Sequence, residues 1–336
     1  MAVSIEDVAR KAGVSTATVS RTLRGLDGVG EETRKRVQAI VKELRYVPSV
    51  AASNLARGST RTIGVVAPSV SRWFFGAVIE GAGTVFAQRG YDAILCALPD
   101  KNPPRALFHA DSLRNRVDGV LIASTYFNAY EVDELRSLDL PAVFISVAQP
   151  GFCHVGIDNQ AAATKAVEHL IELGHRTIGH ISGRPEYSAR YIPSAARTES
   201  YRQTLAEHGL EVHDTLEAPS DLTAASGYHA AMELLERRPD VTAIFAVSDE
   251  VGMGVMQALK EKGLVAGRDV SVASIDGHDL DDAAGLTSVD QHVYKQGIAG
   301  ATLLLDQIDT QTAPQSIILD TDLVVRSSTG LLDSAS

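Results

Sequence analysis

Apolar residues in the first sixty positions recur three and four apart, whereas from Arg61 onward they gather in short unbroken runs separated by amphipathic stretches. Two architectures therefore follow one another along the chain. In the first, Ser4 with Asp7 three residues later is a capping pattern that opens a helix from Ile5 to Ala12, whose inward face is Ile5, Val8, Ala9 and Ala12. Gly13 ends it. Ser15 is a second N-cap, for a helix from Thr16 to Leu23 with Val19 and Leu23 turned inward. A third helix is predicted from Glu31 to Leu44, acidic at its start and followed by Arg45, as the helix dipole favours, and Pro48 stops it.

The second pattern predicts parallel strands covered on both faces. The runs are 63–67, 93–96, 119–123, 142–145, 177–181, 243–247 and 270–275, with helices near 160–173, 195–208, 225–237 and 249–262 and a last strand at 323–325. Strand–helix alternation of this kind, present twice, predicts two α/β sheets. Such sheets bind ligands at the carboxyl ends of their strands, and chain segments crossing between two of them leave a cleft.

Composition fits this division. A length of 336 residues with 45% hydrophobic and 22% charged residues describes a folded protein of more than one domain. The formal net charge of -11 would by itself discourage a nucleic-acid partner. Divided at residue 60, however, it becomes +4 for the head and -15 for the rest, the asymmetry of a nucleic-acid reader carried by a body that avoids nucleic acid. Apolar runs fall short of the ~18 residues needed to cross a bilayer, and the first residues carry charge where a secretory signal is apolar, so a cytoplasmic protein with no membrane partner is expected. Cys96 and Cys153 stand alone, which points to a reducing compartment and away from a disulfide framework or cysteine zinc site. No cofactor and no metal are expected.

The helix, turn and helix of residues 5–23 form a helix-turn-helix candidate. A helix entering a groove about 12 Å wide has to present small polar groups and donors opposite its apolar face. Thr16, Ala17, Ser20 and Arg21 do so. On pattern alone, an ordinary capped hairpin with a solvated face remains the competing reading.

The words of the sequence decide between them. I-x-D-V-A-R-K-A-G-V-S-T-A-T-V-S-R, V-G-E-E-T-R-K-R-V and L-R-Y-V-P-S-V-A-A-S-N-L-A-R-G-S-T-R-T-I-G-V-V in the head, then V-E-H-L-I-E-L-G-H-R-T-I-G-H-I-S-G from Val167, S-G-Y at Ser226, F-A-V-S-D-E-V-G-M-G from Phe245 and D-V-S-V-A-S-I-D-G from Asp269, closely resemble the LacI/GalR family of bacterial transcription regulators over essentially the whole chain. The resemblance implies a helix-turn-helix head at 1–47, a hinge helix and linker at 48–60, and a two-lobed α/β domain similar to periplasmic sugar-binding proteins at 61–336. Lobe one would hold about 61–160 and 292–322, lobe two about 161–291 and 323–336.

It also implies roles. The DNA-binding residues would be Ser4, Ser15, Thr16, Ala17, Thr18, Ser20 and Arg21 in the head, with Ala52, Asn54 and Leu55 in a hinge helix that folds on the operator and wedges Leu55 into the central minor-groove step. The plain alternative for Leu55 is a linker residue packed on its own domain. The effector-binding residues would be Phe74, Phe75, Asp158, Arg197, Leu222, Asp249, Asp276 and Gln291. Asp276 follows a strand directly and could instead cap the next segment; Arg197 could be a solvated helix charge; Asp249 is read both as an N-cap and as ligand-facing. The sequence departs from the family pattern at Gly30, Ser49, Trp73, Leu222, Asp290 and His292, and its stretch from Gly183 to Arg197 is long.

Motifs of hydrolases, zinc proteases, nucleotide-binding loops and dinucleotide folds do not occur, and the ten histidines lack metal spacing. No catalysis is expected. The reading is a repressor that binds a pseudopalindromic operator in double-stranded DNA as a homodimer, released by a small-molecule effector, a carbohydrate, between its lobes. The end of the chain at Ser336, soon after the last strand, favours a dimer over a tetramer. Corepression in place of induction, a free sugar-transport component and an α/β enzyme are the alternatives.

Overall fold

The computed structural model describes residues 3–46, 59–97, 110–184, 192–310 and 312–332. Residues Met1–Thr60 and Arg61–Ser336 form separate compact units.

The head contains α1 (Ile5–Ala12), α2 (Thr16–Leu23) and α3 (Glu31–Glu43). Its boundaries follow from local chemistry. Ser4 Oγ accepts from Asp7 N at 3.3 Å while Asp7 Oδ2 accepts from Ser4 N at 3.0 Å, closing the capping box; Gly13 ends α1 at φ 66°, a left-handed conformation that glycine adopts without strain. Ser15 Oγ accepts from Thr18 N at 3.1 Å to start α2. Gly30 caps α3 by backbone alone. Val8, Ala9, Ala12, Val19 and Val37 form the buried centre. The predicted hinge helix, with Ala52, Asn54 and Leu55, lies outside the described residues.

The body holds two six-stranded sheets. In the first, β1 (Thr62–Ala67), β2 (Asp92–Ala97), β3 (Gly119–Ala123), β4 (Ala142–Ile145), β5 (Cys153–Ile157) and β11 (Ser316–Leu319) run parallel in the order β11-β5-β4-β3-β1-β2. In the second, β6 (Ile178–Gly183), β7 (Glu217–Ser220), β8 (Ala243–Ala246), β9 (Ser271–Asp276), β10 (Thr287–Asp290) and β12 (Asp322–Val324) take the order β12-β10-β9-β8-β6-β7. Only β12 among these pairs antiparallel, on β10. Helices α4 (Trp73–Gln88), α5 (Ala129–Arg136) and α11 (Val293–Thr310) cover the first sheet; α6 (Asn159–Glu172), α7 (Ile192–Glu207), α8 (Ala224–Arg237), α9 (Asp249–Glu261) and the short α10 (Asp281–Ala284) belong to the second. The chain thus passes between the sheets after β5, after β10 and after β11.

Both faces of each sheet are buried, which explains the unbroken apolar runs. Ile63, Val65, Leu121 and Val143 pack on one side of the first sheet, Val66, Val120, Ile122 and Phe144 on the other. The second divides in the same way: Ile181, Ile244 and Val272 face α8 and α9, while Ile178, Phe245 and Ile275 face α6 and α7. Each sheet also has one helix pair in backbone contact. A Cβ on Gly297 of α11 would collide with Val78 O of α4, and one on Gly254 of α9 with Ala224 O of α8. Glycine is what lets these helices approach.

Four strands were not predicted: β5, β7, β10 and β11. Pro219 in β7 sits at a sheet edge, where the missing N–H goes unnoticed. The hydroxyls of Thr287 and Ser288 in β10 are satisfied inside the core, Thr287 Oγ1 with Thr329 and Ser288 Oγ with Asp249.

Candidate functional site

In the head, α2 presents two faces. Val19 and Thr22 are buried, and Thr16, Ala17 and Arg21 are exposed with Thr18 and Ser20 half-buried beside them. Ser4 and Ser15 are spent on helix caps, at the starts of α1 and α2. The Arg21 guanidinium lies beside Gly28 and forms no ion pair among the described residues, so its donors face solvent.

In the body, the strand orders reverse between β1 and β3 and between β6 and β8, the switch points where open α/β sheets bind ligands. One cavity is built from the carboxyl ends around both. From the first sheet come Arg72, Phe74 and Phe75 after β1, Ser124 after β3 and Ser146 after β4. From the second come Pro193 and Ser194 at the start of α7, Arg197 one turn on, Leu222 after β7, Val247 and Ser248 after β8, and Asp276 ending β9, with Gln291 on the passage between sheets. Three of these, Ser124 (φ 45°), Ser146 (φ 71°) and Leu222 (φ 59°), hold left-handed backbone conformations without being glycine. Such a conformation costs about 1–3 kcal/mol at each residue.

Asp276 is the electrostatic centre. Gln291 Nε2 donates to its Oδ1 at 2.6 Å and Arg197 Nη1 to the same oxygen at 3.4 Å. Burial pushes the Asp276 carboxyl up to about 7, against the pull of Arg197, and nearby Asp249 adds to the rise. Arg197 is held from behind: Nε donates to Asn159 Oδ1 at 2.9 Å and Nη1 to Val247 O at 2.8 Å. Gln291 is steadied by Gln296, whose Nε2 donates to the Gln291 carbonyl at 2.8 Å. A carboxylate, a guanidinium, an amide and several hydroxyls around the aromatic rings of Phe74 and Phe75 suit a neutral polyol: hydroxyls bridge the polar groups and C–H faces lie on the rings.

Six of the eight expected effector residues thus meet at the cavity: Phe74, Phe75, Arg197, Leu222, Asp276 and Gln291. Asp158 does not. It caps α6, its Oδ1 accepting from Gln160 N at 2.9 Å and Ala161 N at 3.0 Å. Asp249 does not either. It is fully buried behind the cavity, Oδ1 accepting from Ser274 Oγ and Ser288 Oγ, each at 2.6 Å, and Oδ2 from His278 N at 2.9 Å. Ser248, one residue earlier, is the N-cap of α9 and lines the cavity in its place; its Oγ is buried with no partner among the described residues. Ser124, Ser146 and Ser248 each follow a predicted strand directly, and that position was the available signal for them. Arg72 and Ser194 had none.

The described residues contain no cluster of three or more metal-ligating side chains and no helix long and apolar enough to cross a membrane.

Comparison with known proteins agrees with both parts. Residues 4–49 match the model of bacterial regulatory proteins, lacI family, and residues 167–329 match the periplasmic binding protein-like domain. Catabolite control protein A of Priestia megaterium is 33% identical, over 95% of this chain and 96% of that protein. A solved transcriptional regulator CelR–cellobiose complex is 32% identical, covering 97% of this chain and 99% of that one, with a TM-score of 0.71. The lac repressor dimer bound to operator and the anti-inducer ONPF is 25% identical, covering 98% and 99%, with a TM-score of 0.86. The chain belongs to the LacI family of bacterial transcriptional regulators.

Proposed function

We propose that this chain is a sequence-specific transcriptional repressor whose operator affinity is set by a carbohydrate inducer bound between the two lobes of its body. The observation that carries the reading is the pairing, in one chain, of an exposed Thr16–Ala17–Arg21 face on α2 with a cavity centred on the Arg197–Asp276–Gln291 triad. The family consists of DNA-binding regulators and not enzymes. Relatives supply the rest of the picture: one was solved with cellobiose, another as a dimer on its operator. By this reading residues 1–47 are the reader, 48–60 the hinge with Ala52, Asn54 and Leu55 at the minor groove, and 61–336 the cytoplasmic sensor and dimerisation domain.

The mechanism follows from the layout. A sugar contacted by Phe74, Phe75 and Ser124 from the first sheet and Arg197 and Asp276 from the second binds only the lobe arrangement that brings both sets together. Its differential affinity for that arrangement is the coupling energy, about 1–3 kcal/mol in comparable systems. The lobe arrangement sets the separation of paired hinges, and hence whether two heads span one pseudopalindrome.

The experiment is a binding titration of the full chain on its own upstream region against random duplex at moderate salt, with Arg21→Ala and Leu55→Ala alongside, and a thermal-shift screen of sugars and nucleosides with Asp276→Ala as control. Equal affinity for both duplexes overturns the repressor reading. A hit that survives Asp276→Ala overturns the site.

A further inference from the structure

Two neighbouring residues at the start of α4 reach from the first sheet to the second. Arg72 Nε donates to Glu250 Oε2 of α9 at 2.8 Å, its Nη2 meets the same oxygen at 2.5 Å, and Nη2 also donates to the Leu222 carbonyl. Trp73 N donates to Glu250 Oε1 at 3.2 Å, so one carboxylate binds two consecutive residues of the opposite lobe. The Trp73 ring stacks on His278, centroids 4.6 Å apart and planes 25° from parallel. His278 is itself fixed: its N–H donates to buried Asp249 and its Nδ1 accepts from Leu280 N at 3.0 Å.

We infer that Arg72 and Trp73 form a clasp that ties the two lobes together beside the cavity and stabilises the same lobe arrangement that the effector selects, so that an effector enters only when the ion pair with Glu250 and the stack on His278 open together. The inference rests on reading the cleft as the effector site. Its physical basis is that both contacts join an element of one lobe to an element of the other, with the Arg72 and Glu250 side chains only 26% and 22% exposed, so they are shielded from the screening that weakens surface ion pairs. Arg72 also lines the cavity. The contacts that close the mouth are therefore continuous with the wall that the ligand meets. Asp249, absent from the cavity wall, acquires a role here: it anchors the loop that carries His278 and at the same time the hydroxyls of β9 and β10.

Trp73 is the single tryptophan of the chain, so its fluorescence reports on the clasp alone. The experiment measures acrylamide quenching of the full-length protein without ligand, for the wild type, His278→Ala, Glu250→Gln and the control Glu236→Gln on the outer face of α8, with circular dichroism to confirm folding. Wild-type Trp73 is expected to be shielded. His278→Ala and Glu250→Gln should each raise the quenching constant about threefold by increasing the open population, and Glu236→Gln should leave it alone. Wild-type quenching equal to that of the chain unfolded in urea, no change in either clasp variant, or an equal rise in the control overturns the clasp. Operator binding by the same wild-type preparation separates the two claims: a shielded Trp73 without specific DNA binding sinks the regulator reading and leaves the clasp standing, and the reverse result does the opposite.

Discussion

Arg197 and Asp276 face each other as a buried ion pair 3.4 Å apart, with side chains 7% and 11% exposed, one from α7 and the other from the end of β9. Taking two charges out of water is costly, and their attraction compensates only when further hydrogen bonds complete both groups. Gln291, Asn159 and Val247 O do so here. Removing one partner strands the other. Arg197→Ala is therefore expected to destabilise the body by about 3–5 kcal/mol, and Arg197→Met with Asp276→Leu to recover most of that loss. The loss from Arg197→Ala should shrink below pH about 7, where the Asp276 carboxyl, already raised by burial, takes up a proton. Urea titrations at pH 6 and pH 8 measure both effects. A double variant no more stable than Arg197→Ala would show that the pair is not energetically coupled.

A second acid behaves differently. Asp281 opens α10 fully buried, and neither of its carboxyl oxygens has a hydrogen-bond partner among the described residues. Burial pushes its carboxyl up to about 9, with Asp249 beside it adding to the shift and Arg326 opposing it. In the unfolded chain the group ionises near its ordinary value of 3.8. Between these limits the native state holds a proton that the unfolded state has lost, so its contribution to stability is complete at low pH and declines as pH rises toward 9. Asp281→Asn keeps the shape without the titration. Relative to wild type, that variant is expected to gain up to about 1.4 kcal/mol for each pH unit across this window. Thermal melting of both proteins from pH 5 to pH 9 tests the slope, and parallel curves would rule the explanation out.

In the head, Arg21 is exposed and unpaired among the described residues, so its replacement should act on DNA and not on folding. Arg21→Ala is expected to weaken operator binding by about 1–3 kcal/mol, a factor of about 5 to 150, with the melting temperature unchanged. Fluorescence anisotropy over a salt series distinguishes its two possible contacts. A loss confined to the operator marks a base edge; an equal loss on random duplex with a shallower salt slope marks a phosphate.

What was legible in the sequence follows physical lines. The boundaries of α1 and α2 were readable because caps are local: Ser4, Asp7, Gly13 and Ser15 act within one helical turn. Central strands such as β3 and β8 were readable because burial on both faces demands unbroken apolar runs. β7 was not, since Glu217-Ala-Pro-Ser at a sheet edge satisfies neither rule. Arg197 and Gln291 were expected at the cavity through resemblance and Asp276 also through its place at a strand's carboxyl end, while the residue expected from α9 was Asp249, next to the Ser248 that lines the wall. A one-residue step there decides whether a side chain faces the cleft or the core. The clasp was out of reach, because Arg72, Glu250 and His278 are brought together only by the way the two sheets pack.

Ser248 yields the sharpest separation of binding from folding. The residue lines the cavity at the N-cap of α9, yet its hydroxyl is buried, makes no cap hydrogen bond and meets no described partner. An unpaired buried hydroxyl costs about 1–3 kcal/mol in the empty protein, and a ligand hydroxyl that pairs with it removes that cost. Ser248→Ala should therefore leave the ligand-free melting temperature equal or higher. With the sugar identified by screening, the same variant should lose affinity, about two- to twelvefold for a single neutral hydrogen bond of about 0.5–1.5 kcal/mol. Opposite signs in the two measurements are the signature of a hydroxyl reserved for ligand. A variant that melts lower without sugar and binds it unchanged would instead make Ser248 a structural residue.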